Sequence, residues 1–241
     1  MTLIEKHGDL GGRARTFLHN DYKYDAGPTV ITAPYLIDEL FSIHSEKLSD
    51  YVNLLPVKPW YRFLFENGEY LDYGDKLSTT VREIKSKYSY KDARSYIKLL
   101  KHSKRIFNKA FLELSDEPFE SLGSMVKHLP ELIRIRFDRS VYQAVEKHMG
   151  NKNLNQALSM HPLLVGGNPY STTSIYLLIQ YLEWKWGVFY AEGGTGKIVD
   201  ALEKLLLKKG VEIKKNTDAR KIIVSKKKII GFERKKGLND C

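Results

Sequence analysis

Three short segments near the start of the chain carry side chains whose types and spacing suit an anionic nucleotide. Glu5 ends an apolar run, and its carboxylate can accept hydrogen bonds from ribose hydroxyls. In "GDLGGRARTF", Gly11 and Gly12 let backbone approach a ligand closely, and Arg13 supplies a guanidinium that pairs well with phosphate. In "YKYDAGPTVI", Asp25, Gly27 and Pro28 follow. In a dinucleotide-binding βαβ unit, a glycine fingerprint follows the first strand, and the ribose-binding acid ends the second strand about 20 residues later. Glu5 stands where that acid belongs, so the first strand, fingerprint loop and first helix are expected to lie outside this sequence. Taken singly, a surface Glu explains the first segment better, and a glycine turn with solvated arginines and an ordinary turn explain the other two equally well.

The elements that position these residues are readable in outline. Residues 2–5 read as a strand, and residues 35–44 as a short amphipathic helix. "KYDAGPTVIT" reads as extended chain with a Gly-Pro break. "YRFLFENGEYLDYG" reads as a hairpin around Asn67-Gly68, a pair suited to positive φ. Ile97, Leu100, Phe107, Phe111 and Leu114 recur at helical spacing, and a second helical region spans residues 121–148 with a break near Pro130. "STTSIYLLIQYLEWKW" predicts a helix capped by Ser171 or Thr172, apolar on nearly every face. "GVFYAEGGTGKIVDALEKLLLKKGVEIKKN" reads strand, glycine loop, helix, strand. Its helix carries the stripe Ile198, Leu202, Leu205 and Leu206, and Gly210 ends it. "RKIIVSKKKIIGF" closes as another hairpin. The fold class is α/β at both ends with a helical insertion between them.

Composition narrows the partners. The chain has 241 residues, a net charge of +10 and a 42% hydrophobic fraction, enough for a real core. The basic excess suits an anionic cofactor or an acidic membrane surface. Nucleic acid is not favoured, because aromatics do not interleave with the lysines as a stacking platform requires. One cysteine, Cys241, leaves no disulfide framework or cysteine metal site, and a reducing compartment fits. No signal-peptide pattern opens the sequence, and no apolar run is long enough to span a bilayer.

In their order, "LIEKHGDLGGRA", "DAGPTVIT" and "LLPVKPWYRF" resemble the flavoprotein superfamily of amine oxidases and carotenoid desaturases. The block "HPLLVGGNPYSTTSIYLLIQYLEWKWGVFYAEGGTGKIVDAL", residues 161–202, is similar to bacterial and fungal phytoene desaturases, and the likeness runs over essentially the whole chain. It implies an incomplete Rossmann-like FAD-binding domain formed by residues 1–34 and 191–241. A helical and sheet substrate-binding insertion, of α+β character, would span residues 35–190. It also implies that roughly 30 residues of the first βαβ unit, and a later segment completing the flavin site, lie beyond this sequence.

The same resemblance implies FAD-dependent dehydrogenation of a long polyene precursor such as phytoene, with FAD held by Glu5, Gly11, Gly12, Arg13, Asp25, Gly27 and Pro28. No metal is implied. A hydrocarbon offers nothing to hydrogen-bond, so its site must be an apolar tunnel. His161, Asn168, Tyr176 and Trp186 are the candidate substrate residues, with plain core packing as the alternative for Tyr176 and Trp186 and a structural or capping role as the alternative for His161. Arg136, Asp138 and Arg139 are the candidates for proton handling, although a solvated helix face explains them as well. "VKHLPELIRIRF" mixes apolar and basic residues as an interfacial helix does, so a cytoplasmic protein peripheral on a membrane is expected. Other readings remain: another carotenoid oxidoreductase such as a diapophytoene desaturase or ketolase, or a non-catalytic remnant. A complementing subunit bound to a missing-half polypeptide, or a homo-oligomer, is open too.

Overall fold

The computed structural model describes residues 1–113, 130, 133 and 136–234. The chain divides into two compact units. One comprises Met1–Ile31, Tyr35–Leu55 and Tyr190–Cys241; the other comprises Thr32–Pro34 and Pro56–Phe189. Residues 35–55 therefore belong with the terminal segments, whereas the sequence reading placed them in the insertion.

In the first unit, β1 (Thr2–Ile4) is followed by a hairpin of β2 (Thr16–His19) and β3 (Tyr22–Asp25). Asn20 and Asp21, both at positive φ, make its two-residue turn. This hairpin was not anticipated, although adjacent Asn and Asp are the residues that tolerate such a turn. Helix α1 follows at Pro34–Ser42, close to the expected span. Strand β4 (Leu54–Pro56) carries the chain out of this unit, and β7 (Phe189–Ala191) brings it back.

Helix α7 (Gly196–Lys208) then leads into β8 (Glu212–Lys214), which pairs in parallel with β1 in the register Leu3↔Ile213. A strand, a helix and a parallel strand are the parts of a Rossmann-like half. Gly210 takes positive φ after α7. Its N–H donates to the Leu207 carbonyl and the Val211 N–H to the Leu206 carbonyl, so the helix ends in a Schellman motif as expected. The core joins Phe41, Leu48 and Val52 to Ala191, Ala201 and Leu205, with Ile198 and Leu202 at its margin. Strands β9 (Ala219–Ser225) and β10 (Lys228–Arg234) form the closing hairpin.

In the second unit, β5 (Tyr61–Leu64) and β6 (Tyr70–Tyr73) pair around Asn67-Gly68. Only Gly68 takes positive φ. Its N–H donates to the Phe65 carbonyl and the Phe65 N–H donates to the Glu69 carbonyl, which is a type I turn followed by a glycine bulge. Helices α2 (Leu77–Lys87) and α3 (Tyr90–Ile106) pack together, and α3 also packs on α6 (Leu178–Trp186). Ser89 caps α3 by accepting the Asp92 N–H at 3.0 Å.

The buried face of α3 is Tyr96, Leu99, Leu100, Ser103 and Ile106. Leu100 and Phe107 of the stripe are buried as its spacing predicts, but Ile97 is exposed and Tyr96 beside it is buried, its hydroxyl accepting the Trp184 Nε1–H. Leu114 lies outside the described residues. Short helices α4 (Val141–Glu146) and α5 (Lys152–Leu158) complete the layer, with a reciprocal capping box at Ser140 and Gln143. The segment before α6 is a 3-10 turn, Ser174–Leu177, capped by Thr173, whose hydroxyl accepts the Ile175 N–H. Ser171 and Thr172 precede that cap and do not form it.

Candidate functional site

The three glycine-bearing segments of the first unit interlock. A Cβ on Gly27 would stand 1.9 Å from the Arg13 carbonyl oxygen, so only glycine lets the Asp25–Pro28 segment lie against the Gly11–Arg13 loop. Asp25 spans to the "GGTG" turn before α7. One carboxylate oxygen accepts the Thr16 hydroxyl at 2.9 Å and the other accepts the Thr195 N–H at 3.1 Å. Thr16 in turn accepts the Gly196 N–H at 3.1 Å, and the Pro28 carbonyl accepts the Thr195 hydroxyl at 2.8 Å. Side chains on Gly194 or Gly196 would collide with Asp25 and Thr16. Both oxygens of Asp25 are thus engaged in bracing, and Pro28 contributes backbone alone.

That brace presents the loop. Gly11, at φ 105°, is packed on Val199 of α7, and its carbonyl accepts the Ala14 N–H at 2.7 Å. Gly12, at φ 50°, has nothing within 4 Å of where a Cβ would stand, so that face of the loop is open to a ligand. Arg13 is exposed and makes no ion pair among the described residues. Glu5 follows β1: its N–H donates to the Lys214 carbonyl, and one carboxylate oxygen accepts the His7 N–H at 2.8 Å, leaving the other available. An acceptor at a strand end and an open glycine-arginine loop fit the ribose and phosphate of a dinucleotide. Beside them a cavity of about 290 Å³ is edged by Lys197 and Lys215, but these are paired with Asp200 at 3.0 Å and Glu203 at 2.7 Å.

The second unit holds a buried polar cluster of a different kind. Glu183 of α6 is fully buried; Tyr61 of β5 donates its hydroxyl to one carboxylate oxygen at 2.7 Å, and His161 Nε2 lies 3.0 Å from the other. Burial first, and then the Glu183 carboxylate, push the Tyr61 phenol well above its usual range. Trp184 donates its Nε1–H to the Tyr96 hydroxyl at 2.7 Å, and burial raises Tyr96 as well. Trp60, Tyr73 and Trp184 pack ring against ring around this cluster. One turn earlier on α6, buried Gln180 accepts the Ser103 hydroxyl at 2.9 Å. Sequence reasoning named His161 but missed Glu183, Tyr61 and Tyr96. The available signal was Gln180 and Glu183, three apart in a largely apolar helix.

The remaining predicted residues fall elsewhere. The Asn168 side chain accepts the Tyr170 N–H at 2.9 Å and shapes the turn before the Thr173 cap. Tyr176 is half-buried in that 3-10 turn, and Trp186 packs edge-on against Phe107 at the end of α6. Arg136 and Asp138 are about half exposed and pair with each other through two contacts of 3.1 Å. That pairing holds the Asp138 carboxyl below its usual range, the opposite of what a proton acceptor near neutral pH requires. Arg139 and Arg136 offer their carbonyls to Ser174, so this set orders the approach to α6. The basic amphipathic segment at 126–137 lies almost wholly outside the described residues.

A parallel strand-helix-strand half carrying a braced glycine-arginine loop and a strand-end acid defines a nucleotide-cofactor protein. Residues 1–232 match the flavin containing amine oxidoreductases, and the chain belongs to that family. It is 39% identical over 227 residues to a lycopene-forming phytoene desaturase of Pseudescherichia vulneris, covering 94% of this chain and 46% of that protein. It is also 39% identical over 211 residues to the lycopene-forming phytoene desaturase of Pantoea ananas, covering 88% of this chain and 43% of that one. The chain therefore spans less than half the length of these relatives. Among solved structures, an oxidoreductase from Methanosarcina mazei matches with a TM-score of 0.59 at 17% identity, over 96% of this chain and 49% of that one, which shows the shared fold.

Proposed function

We propose that this chain works in FAD-dependent desaturation of a carotenoid precursor, with phytoene as the substrate. The observation that carries the reading is the 39% identity to lycopene-forming phytoene desaturases over 94% of the chain. Bound FAD would supply the hydride acceptor for dehydrogenation. In this chain Glu5 would hold the ribose, while the Gly12 backbone and Arg13 would hold the phosphates. Asp25, Gly27 and Thr195 keep that loop in place without touching the cofactor. The substrate is a hydrocarbon, so binding it relies on excluding water and matching shape. His161 and Trp186 act from the second unit, His161 through Glu183 and Tyr61 as part of a rigid buried frame, and Trp186 as an apolar surface.

We place the protein in the cytoplasm, peripheral on a membrane, a position from which a lipid-soluble substrate can be taken up. Among the described residues no helix is long and apolar enough to cross a bilayer.

The test supplies phytoene in liposomes with FAD to the chain co-purified with the segments of the Pseudescherichia vulneris enzyme that lie outside the matched region. Products are followed by chromatography and visible absorption. Retained flavin with new long-wavelength polyene products supports the reading. Retained flavin with phytoene unchanged, while a shorter or oxygenated carotenoid is consumed, shifts it to a diapophytoene desaturase or ketolase.

A further inference from the structure

Helix α3 buries one face and presents another of a single charge sign. Its buried side chains are Ala93, Tyr96, Leu99, Leu100, Ser103 and Ile106. At about 100° per residue, Lys91, Arg94, Lys98, Lys101 and Arg105, spaced three and four apart, fall on the opposite side with Lys104 at its margin. All six are exposed. From Lys91 to Arg105 the row runs about 21 Å, at ~1.5 Å per residue. Its face carries no acid: Asp92, the one carboxylate of the helix, is held by the Ser89 hydroxyl at the cap. None of the six cations forms an ion pair among the described residues; Arg94 stands over the Tyr90 ring and Lys104 over Tyr181.

Other helices of the chain are built differently. On α2, Lys87 pairs with Glu83 at 2.6 Å, and on α7, Lys197 pairs with Asp200 at 3.0 Å. Like charges three and four residues apart work against the helix that carries them, and an anionic surface laid along the row would relieve that repulsion. The exposure of this face does not depend on what covers the rest of the fold, because a row of cations with no carboxylate among them is too costly to bury in apolar packing.

The shape of the row and its company indicate the anion. A straight row of about four turns matches an extended array of negative charge better than one small ion. Tyr90 and Ile97, 63% and 37% exposed, lie on the same side among the cations. Apolar groups inside a basic row suit the headgroup layer of a bilayer, where the ring and the aliphatic stems sink and the charged tips stay with the phosphates. A nucleic-acid strand would set Ile97 against its phosphates.

We propose that the outer face of α3 docks the chain on a bilayer carrying anionic phospholipid headgroups, with Arg94, Lys98 and Lys101 as the central contacts. The choice of a bilayer rests on the peripheral placement put forward above; the basic face rests on the helical positions of its residues.

The test mixes the full chain with sedimentable vesicles of phosphatidylcholine, either alone or with about one-quarter phosphatidylglycerol. The expected result is binding to the anionic vesicles only, lost at about 1 M salt, where the screening length falls to about 3 Å. Arg94→Gln, Lys98→Gln and Lys101→Gln together should weaken that binding roughly 100-fold, since each basic residue at an anionic bilayer contributes about a fivefold factor. Gln suits a helix as well as Lys does, so circular dichroism should be unchanged. The control removes the same charge elsewhere: Lys226→Gln, Lys227→Gln and Lys228→Gln, at the exposed β9–β10 turn, should bind as the parent does.

Equal binding to both vesicle types, no binding to either, an unaltered stripe variant, or an equal loss in the control overturns the proposal. So does retention of the parent by duplex DNA that exceeds vesicle binding and is lost in the stripe variant, which gives the row to nucleic acid. Vesicle binding that needs the row, with no polyene product in the phytoene assay above, leaves the docking face standing and overturns the desaturase reading. Polyene product with vesicle binding unaltered in the stripe variant does the reverse.

Discussion

The carbonyl oxygen of Arg13 lies 1.9 Å from the point where a side chain on Gly27 would begin. A methyl there cannot be accommodated by a side-chain rotation, because the obstacle is backbone. The loop that presents Arg13 and the segment that carries Asp25 are therefore one rigid piece.

Gly27→Ala is expected to destabilise the protein by about 1–3 kcal/mol or more, the usual cost of forcing atoms into a filled space. It should also shift the loop and weaken flavin uptake. Gly150→Ala is the control: nothing lies within 4 Å of that site and its φ is not in the left-handed region, so its effect should be near zero or slightly favourable. Urea midpoints of the two variants check this; equal midpoints would refute the clash.

Asp25 holds the Thr195 N–H at the entrance to α7 and the Thr16 hydroxyl on β2. Asp25→Ala should cost about 0.5–2 kcal/mol, as for loss of a side-chain acceptor at a helix start. Hydrogen exchange should speed at the Thr195 and Gly196 amides before it speeds in the middle of α7. Uniform acceleration along the helix would contradict a local brace.

Glu183 is a fully buried carboxylate held between Tyr61 and His161. Glu183→Leu leaves two buried polar groups without their partner and should cost about 3–5 kcal/mol. Tyr61→Phe removes one donor and should cost about 1–3 kcal/mol. Because both substitutions act on one network, the double variant should lose less than the sum of the single losses. Additive losses in chemical denaturation would show that Glu183 and Tyr61 are not coupled.

Glu46 accepts from Lys208 and from the Tyr51 hydroxyl, and these hydrogen bonds hold its carboxyl below the usual range. A depressed folded-state pKa means that the unfolded chain takes up the proton first. Its contribution is present above the ordinary Glu range and disappears as pH falls through the folded-state value. Glu46→Gln should therefore be less stable than the parent at pH 7, with the gap closing toward pH 3. Salt should narrow the gap as well, since the pair is partly exposed. A gap in melting temperature that is constant from pH 7 to pH 3 would exclude this account.

Much of the local structure is legible in the residues. The period of Ile198, Leu202 and Leu205 with Gly210 after it specifies α7 and its end, and alternation around Asn67-Gly68 specifies the β5–β6 hairpin. Both signals are local, arising within a few residues of chain. The β2–β3 hairpin was missed because Asn20-Asp21 is a weaker turn pair than Asn-Gly. On α3 the stripe is right at Leu100 and Phe107 and wrong at Ile97, because the neighbouring Tyr96 is buried against Trp184, 88 positions away.

By itself the sequence determined the glycine-arginine loop, the strand-end acid, the helical and strand periods, and hence the family. Those depend on residue type and near spacing, where φ preferences and amphipathic faces act. Only the tertiary structure decided that Asp25 braces the loop and that Glu183 meets His161 and Tyr61, 22 and 122 positions away. A side chain's partner and its burial are set by which distant segments the fold brings alongside it, and no local period encodes that.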